Sequence, residues 1–371
     1  MNTPMAYIIA GPTASGKSDF AHALAKRIGG VVINCDSVQI YRGIESISAS
    51  PFANKLAMSN EQLAINDESE SNNCSLLTAN SSLDSVPYRL FSILPLTEQI
   101  SVAEYLELAR AEYNAAINSG IPAVFVGGTG FYINAILNGI SPIPEISAGT
   151  RIRAREMMRD HPDDAGRLLK NADPKTEYKD PQRATRALEV LLETGRPLSE
   201  WQSLPRTGAV IKSSEFRVQS SDNSDNKNKN INNKTVAKGD AISELCTLNS
   251  ELCLKILINP PREILTERIA RRIPEMMNGG LPAEALAKVG ALDEARAIIA
   301  SGGDDGRAIG ASELVKFIRG EIGENECYEN WITRTNQYAK RQRTWFRHQY
   351  DADIEIDHVP TDADLNLVIP E

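Results

Sequence analysis

Short apolar runs, each stopped by glycine or by an acidic residue, set the pattern of this chain. Tyr7-Ile8-Ile9-Ala10 is apolar without alternation and stops at Gly11, as a strand buried on both faces does. Beyond that loop Phe20, Ala21, Leu24, Ala25 and Ile28 recur at helical spacing, and Gly29-Gly30 supplies the stop. Val31-Val32-Ile33 predicts a second strand ending at Asp36-Ser37. Ala123-Val124-Phe125-Val126 predicts a third, ending at Gly127-Gly128-Thr129-Gly130. A helix is predicted over about 101–119, with Ser101 as N-cap and Glu104 completing a capping box. Leu254–Ile258 predicts a fourth strand, closed by Pro260-Pro261. Short apolar strands alternating with helices predict an α/β chain, a parallel sheet flanked by helices on both faces. Ligands of such sheets bind at the carboxyl ends of the strands, where these Gly, Asp and Thr clusters fall.

Three segments depart from that pattern. Residues 66–85 are dominated by Ser, Asn, Asp and Glu, and residues 220–235 hold a single aliphatic side chain, Ile231. Neither buries enough apolar surface to offset its ordering entropy, so polar insertions without fixed structure are expected at 53–86 and 218–250. Residues 143–210 are rich in Arg and helix formers and predict a helical insertion subdomain. The core domain is then residues 1–142 and 251–358.

Composition narrows the classes. A hydrophobic fraction of 42% with 24% charged residues is that of a water-soluble globular chain, and no apolar run is long enough to span a membrane. The net charge of −9 argues against indiscriminate coating of nucleic acid but allows a local basic site. Cysteines 35, 74, 246, 253 and 327 form no CxxC pair and the histidines complete no zinc pattern, which suggests reduced thiols. With an apolar strand and a glycine loop starting so near residue 1, no leader peptide is expected and the cytoplasm is the expected compartment.

Gly11-Pro12-Thr13-Ala14-Ser15-Gly16-Lys17-Ser18 matches GxxxxGK[ST], with a strand before it and a helix after it. Backbone N–H groups of such a P-loop converge on phosphate oxygens, and the helix N-terminus adds its positive dipole. Lys17 is expected to reach the terminal phosphate, and the Ser18 hydroxyl to hold Mg2+. The motif specifies phosphate binding and leaves the reaction open, since kinases, ATPases and GTPases share it.

Four further motifs complete a set: Asp36-Ser37-Val38-Gln39-Ile40-Tyr41-Arg42-Gly43 after the second strand, Gly127-Gly128-Thr129-Gly130-Phe131-Tyr132 after the third, Asp180-Pro181-Gln182-Arg183 opening a helix, and Ala339-Lys340-Arg341-Gln342-Arg343-Thr344-Trp345-Phe346-Arg347 towards the end. Taken in this order, the set from about Tyr7 to Arg347 resembles the tRNA dimethylallyltransferases, also called tRNA isopentenyltransferases, apart from the two polar insertions. The resemblance implies a P-loop NTPase-like fold. It implies transfer of a dimethylallyl group from dimethylallyl diphosphate to the exocyclic amine of the adenosine just 3′ of the anticodon in tRNA. It implies a monomer with no membrane partner.

By the same resemblance Asp36, Thr129 and Arg272 are the candidate catalytic residues, and Gly11, Thr13, Ala14, Ser15, Gly16, Lys17 and Ser18 the diphosphate site. The candidate tRNA contacts are Asp36, Ser37, Val38, Gln39, Arg151, Gln182, Arg183, Arg186, Arg307, Ala308, Ile309, Gly310, Lys340, Arg343 and Arg347. Position alone leaves Asp36 equally a general base and a second-shell magnesium ligand; the family pattern favours the base, which draws an N–H proton from a poorly nucleophilic amine. Thr129 is expected to hydrogen-bond the extruded base or to hold the diphosphate. Arg272 matches an arginine that grips the diphosphate, and otherwise reads as a solvated helix residue. The stretch Trp331–Tyr350 has no acidic residue. As an isolated helix it reads first as a packed aromatic seam with a solvated basic face; the further arginines at 151, 153, 155, 159, 183 and 186 turn the reading towards an RNA-facing rim.

The chain departs from the family pattern in four places: Ser46-Ile47-Ser48-Ala49-Ser50-Pro51, Tyr88, Tyr178-Lys179-Asp180 and Ala311-Ser312. None of them falls on the P-loop, Asp36, Thr129 or Arg272. The main rival reading is a P-loop kinase of a small metabolite, which explains the loop and leaves the basic C-terminal helix without a task. A second rival is an RNA-binding module with a vestigial nucleotide site.

Overall fold

A computed structural model describes residues 5–53, 81–211, 253–277, 290–302 and 306–369. Among the described residues seven strands form one sheet in the order β3-β4-β2-β5-β1-β6-β7. The strands are β1 (Ala6–Ala10), β2 (Val31–Asn34), β3 (Ser81–Leu83), β4 (Val86–Arg89), β5 (Ala123–Gly127), β6 (Cys253–Ile258) and β7 (Ile354–Ile356). All neighbours run parallel except β3 with β4. Tyr7, Ile8, Ile9, Ile33, Val124 and Phe125 are wholly or almost wholly buried, the result expected where helices cover both faces.

The first three helices in chain order are α1 (Lys17–Ile28), α2 (Val102–Asn118) and α3 (Gly130–Asn138). α1 presents Phe20, Ala21, Leu24 and Ala25 to the sheet and stops at Gly29, whose φ of 65° suits glycine. α2 begins with the expected capping box: Ser101 Oγ accepts from Glu104 N–H, and Glu104 Oε2 accepts from Ser101 N–H at 2.7 Å.

The expected polar insertion ends earlier than residue 86. Residues 81–89 form the β3–β4 hairpin, because Val86 and Tyr88 alternate inward and Tyr88 packs against the rings of Phe52 and Phe91. Residues 54–80 and the whole second insertion, 218–250, lie outside the described residues. The ordered chain also continues past residue 358, through a 3₁₀ helix, Asp362–Leu367, that packs beside α1.

Residues Ala135–Ala209 form a compact unit of their own, and Met1–Asn134 with Val210–Glu371 the other. The smaller unit holds α4 (Ala148–Asp160), α5 (Pro162–Ala172), α6 (Pro181–Thr194) and α7 (Leu198–Ser203), packed around Ala154, Ala165, Leu169, Ala187 and Leu188. In the larger unit β6 leads to α8 (Arg262–Met277), followed by α9 (Ala291–Ser301), α10 (Ala311–Ile318) and the long α11 (Glu324–Gln349). Glu294 on α9 ties down one of the segments that depart from the family pattern, accepting from Ser46 N–H at 2.6 Å and Ile47 N–H at 2.9 Å.

Candidate active site

Parallel register decides where the motifs meet. Ala10 lies beside Gly127, and Asn34 beside Val126, so the chain leaves β1, β2 and β5 at one level of the sheet. The glycine loop, the Asp36 segment and the Gly128–Gly130 loop therefore open side by side at the carboxyl edge.

The P-loop turns on Ala14 and Gly16, both left-handed at φ 64° and 91°. Gly11 is glycine for a packing reason, because a Cβ there would run into the carbonyl oxygen of Ile258. α1 starts at Lys17, directing its unpaired N–H groups and positive dipole into the loop. Lys17 Nζ donates to Pro12 O at 3.2 Å. Burial pulls Lys17 down to about 8; Asp36 opposes that shift and Arg272 adds to it.

Two arginines on α8 brace the same loop. Arg272 Nη2 donates to Thr13 Oγ1 at 3.0 Å, and Arg268 Nε donates to Ala14 O at 2.8 Å. Burial, helped by the neighbouring Arg268, lowers Arg272 to about 10, so it stays charged at neutral pH. Its buried Nε has no hydrogen-bond partner among the described residues, which leaves a donor for an anion. Among the described residues no three His, Cys, Asp or Glu side chains cluster as a metal site. The half-buried Ser18 hydroxyl at the start of α1 suits Mg2+, which takes few protein oxygens and completes its shell with diphosphate oxygens and water.

The segment after β2 is held rigidly. Asn34 Oδ1 accepts from Asp36 N–H, and its Nδ2 donates to Asp36 O and Leu90 O. Asp36 Oδ1 accepts from Val38 N–H at 2.9 Å, while its second oxygen makes no hydrogen bond among the described residues. Thr129 Oγ1 accepts from Ser37 N–H at 3.0 Å and lies 3.2 Å from Ser37 Oγ. Gln39 donates Nε2 to Ser48 O and Ala49 O.

α11 covers this edge. Lys340 and Arg347 are exposed, whereas Arg343 is half-buried and donates Nε to Asn259 Oδ1 at 3.0 Å. Its other face is a seam of Tyr338, Gln342, Trp345 and the buried Phe346. The exposed cations and the buried aromatic seam thus lie on opposite faces of the helix. Arg307 stacks its guanidinium 4.5 Å over the Tyr41 ring, and Ile309 is half-buried. Ala308 and Gly310 are buried, and a Cβ on Gly310 would strike the Trp331 ring.

In the smaller unit Arg151, Gln182 and Arg183 are exposed. Arg186 is paired with Glu189 at 3.0 Å. Asp180 caps α6, accepting from Arg183 N–H. Sequence reasoning missed Arg268 and Gln342. Arg268 was detectable as a cation one helical turn before Arg272, and Gln342 as a polar interruption of an aromatic helical seam.

An IPP transferase family model matches residues 74–349, and an isopentenyl transferase model residues 4–83. The tRNA dimethylallyltransferase of Chelativorans sp. (strain BNC1) is 32% identical over 96% of this chain and 98% of its own length. That of Acidiphilium cryptum (strain JF-5) is 34% identical over 95% of this chain and 86% of its own. Among solved structures, a eukaryotic dimethylallyltransferase acting on tRNA superposes with a TM-score of 0.64 at 18% identity, covering 98% of this chain and 76% of the other. A tRNA isopentenylpyrophosphate transferase from Bacillus halodurans gives 0.51 at 23% identity, covering 98% and 93%.

Proposed function

This chain belongs to the IPP transferase family, the tRNA dimethylallyltransferases, and on that premise we propose how its own residues divide the work. The reaction is prenylation of tRNA: a dimethylallyl group passes from dimethylallyl diphosphate to the exocyclic amine of the adenosine 3′-adjacent to the anticodon, and diphosphate leaves. One observation carries the residue assignment. The level register of β1, β2 and β5 opens the P-loop, the Asp36 segment and the Thr129 loop side by side at one edge of the sheet, which supports a leaving group held by the first being close to a nucleophile held by the other two.

In this scheme the P-loop, Lys17 and Arg272 hold the diphosphate and neutralise the charge that grows as the carbon–oxygen bond breaks. Mg2+, when bound at Ser18, adds Lewis-acid polarisation of the same oxygens. Asp36 takes the proton that the amine releases as its nitrogen bonds to the allylic carbon. Thr129 and Ser37, already joined, orient the base at that carboxylate. The target adenosine must leave its stack, and the exposed Phe131 beside Thr129 offers a ring to receive it. The tRNA contacts proposed are Asp36–Gln39, Arg307–Gly310, Lys340, Arg343 and Arg347 on one unit and Arg151, Gln182, Arg183 and Arg186 on the other. Ala308 and Gly310 serve there by placing Arg307. With tRNA as substrate, the cytoplasm is the compartment proposed.

Mass spectrometry of an anticodon stem-loop incubated with the protein, Mg2+ and dimethylallyl diphosphate tests the whole scheme. One added isopentenyl unit on the adenosine next to the anticodon is expected. ATP consumption without an adduct would favour the kinase alternative.

Two further outcomes are expected. Substituting alanine for both Lys340 and Arg347 should weaken tRNA binding and reduce the slope of log affinity against log salt by about 2. An unchanged slope would place both side chains away from phosphate. The pH profile should follow Lys17, which binds diphosphate only when charged. kcat/KM for the donor should stay flat up to about pH 8 and fall towards tenfold per pH unit above it. A flat profile to pH 9.5 would show that Lys17 does not govern donor capture.

A further inference from the structure

We propose that Gln342 is a positioning residue that holds the donor loop and the acceptor loop in register, so that the RNA-facing helix α11 completes the site. Its side chain is almost fully buried, at 5% exposure. Its Oε1 accepts from Thr13 N–H in the P-loop at 2.9 Å, and its Nε2 donates to Gly128 O after β5 at 2.9 Å. One planar amide therefore joins two loops that are separated from it by 329 and 214 residues. Only Gln or Asn offers an acceptor and two donors in one flat neutral group, and Gln has the longer reach.

What lies behind each loop gives the bridge its meaning. Thr13 is the residue whose hydroxyl receives Arg272, so fixing its backbone fixes the cation that meets the diphosphate. Gly128 precedes Thr129, whose hydroxyl holds Ser37 next to Asp36. Tyr338, one turn before Gln342, shares this seam, and burial keeps its phenol neutral although Thr129 and Gln342 both act to lower it. The two halves of the reaction meet mechanically at Gln342.

The same seam accounts for two of the glycines. A Cβ on Gly128 would collide with Gln342 Nε2, and a Cβ on Gly130 with the Trp345 ring. In GGTG these two positions are glycine so that α11 can lie against the loop. Group transfer is sensitive to such register, since a misplacement of about 1 Å costs on the order of 100-fold in rate.

The inference rests on the site assignment proposed above, and the experiment separates the two. In the full-length protein, Gln342→Glu keeps an acceptor for Thr13 N–H but, when ionised, cannot donate to Gly128 O; protonated, it donates again. The kcat of the variant divided by that of wild type, measured from pH 8.5 to 6 with saturating stem-loop and dimethylallyl diphosphate, should be about 0.1 or lower at the alkaline end. It should rise as the pH falls, with stem-loop Kd within twofold of wild type throughout. A ratio that stays flat across this range, at any level, overturns the proposal.

If that variant does not fold, Gln342→Met fills the same volume without either hydrogen bond. A kcat reduced about tenfold or more with unchanged stem-loop Kd supports positioning. An unchanged kcat, or loss of stem-loop binding, overturns it. Asp36→Ala measured alongside isolates the other failure: full turnover there would sink the base assignment while leaving the Gln342 result to be read by itself.

Discussion

Asp36→Ala is expected to lower kcat by about 10² to 10⁴-fold while tRNA affinity stays within twofold of wild type. The adenine amine is a weak nucleophile because its lone pair is spread into the ring, so a carboxylate that accepts its N–H acts where the barrier lies. The structure makes Asp36 suitable for that task. Asn34 clamps its backbone on both sides, one carboxylate oxygen is anchored by Val38 N–H, and the other stays available to a substrate. Single-turnover prenylation with excess protein, set beside filter binding of the same stem-loop, separates chemistry from binding. Turnover near wild type would remove Asp36 from the chemistry. Loss of stem-loop binding would make its contact with RNA, and not proton transfer, its main role.

The second large effect has two opposite sides. Lys17→Met should reduce kcat/KM for dimethylallyl diphosphate by about 10² to 10³-fold, the scale for removing one preorganised charge from a developing anion. The same change should make the free protein more stable. A lysine whose value is pulled from 10.5 to about 8 opposes folding while it is charged, because the unfolded chain holds that proton more tightly. The side chain keeps partial access to solvent, so the gain at pH 7 is of order 1–2 kcal/mol. The sign gives a further check. Above pH 8 the folded protein sheds the proton before the unfolded chain does, so wild type recovers stability between about 8 and 10.5 and the gap to the variant closes. Thermal unfolding of both proteins from pH 7 to 10 measures this. A variant less stable than wild type at pH 7 would show that the buried ammonium is held favourably in the free protein.

Much of this molecule follows from local pattern. Tyr7–Ala10 and Val31–Ile33 are too short and too uniformly apolar to do anything but cross a covered sheet, and the Ser101–Glu104 box starts α2 at the expected residue. The β3–β4 hairpin was not legible. Val86-Pro87-Tyr88-Arg89 follows a long polar stretch, and its two inward side chains find support only once Phe52 and Phe91 pack on them. β7 is short for the same reason: Ile354 and Ile356 form a strand because β6 is there to pair with.

The candidate site divides along the same line. By themselves the residues determined the phosphate loop, the carboxylate after β2, the threonine after β5 and a helix that is basic on one side, because each needs only its neighbours in the chain. Which of these groups touch was decided by the tertiary structure. The level register of β1, β2 and β5 brings three loops to one edge, α8 adds Arg268 and Arg272 to the first, and Gln342 ties the first loop to the third. A hydrogen bond depends on a separation of about 3 Å in space and not on distance along the chain, so contacts spanning two or three hundred residues leave no local trace in the sequence.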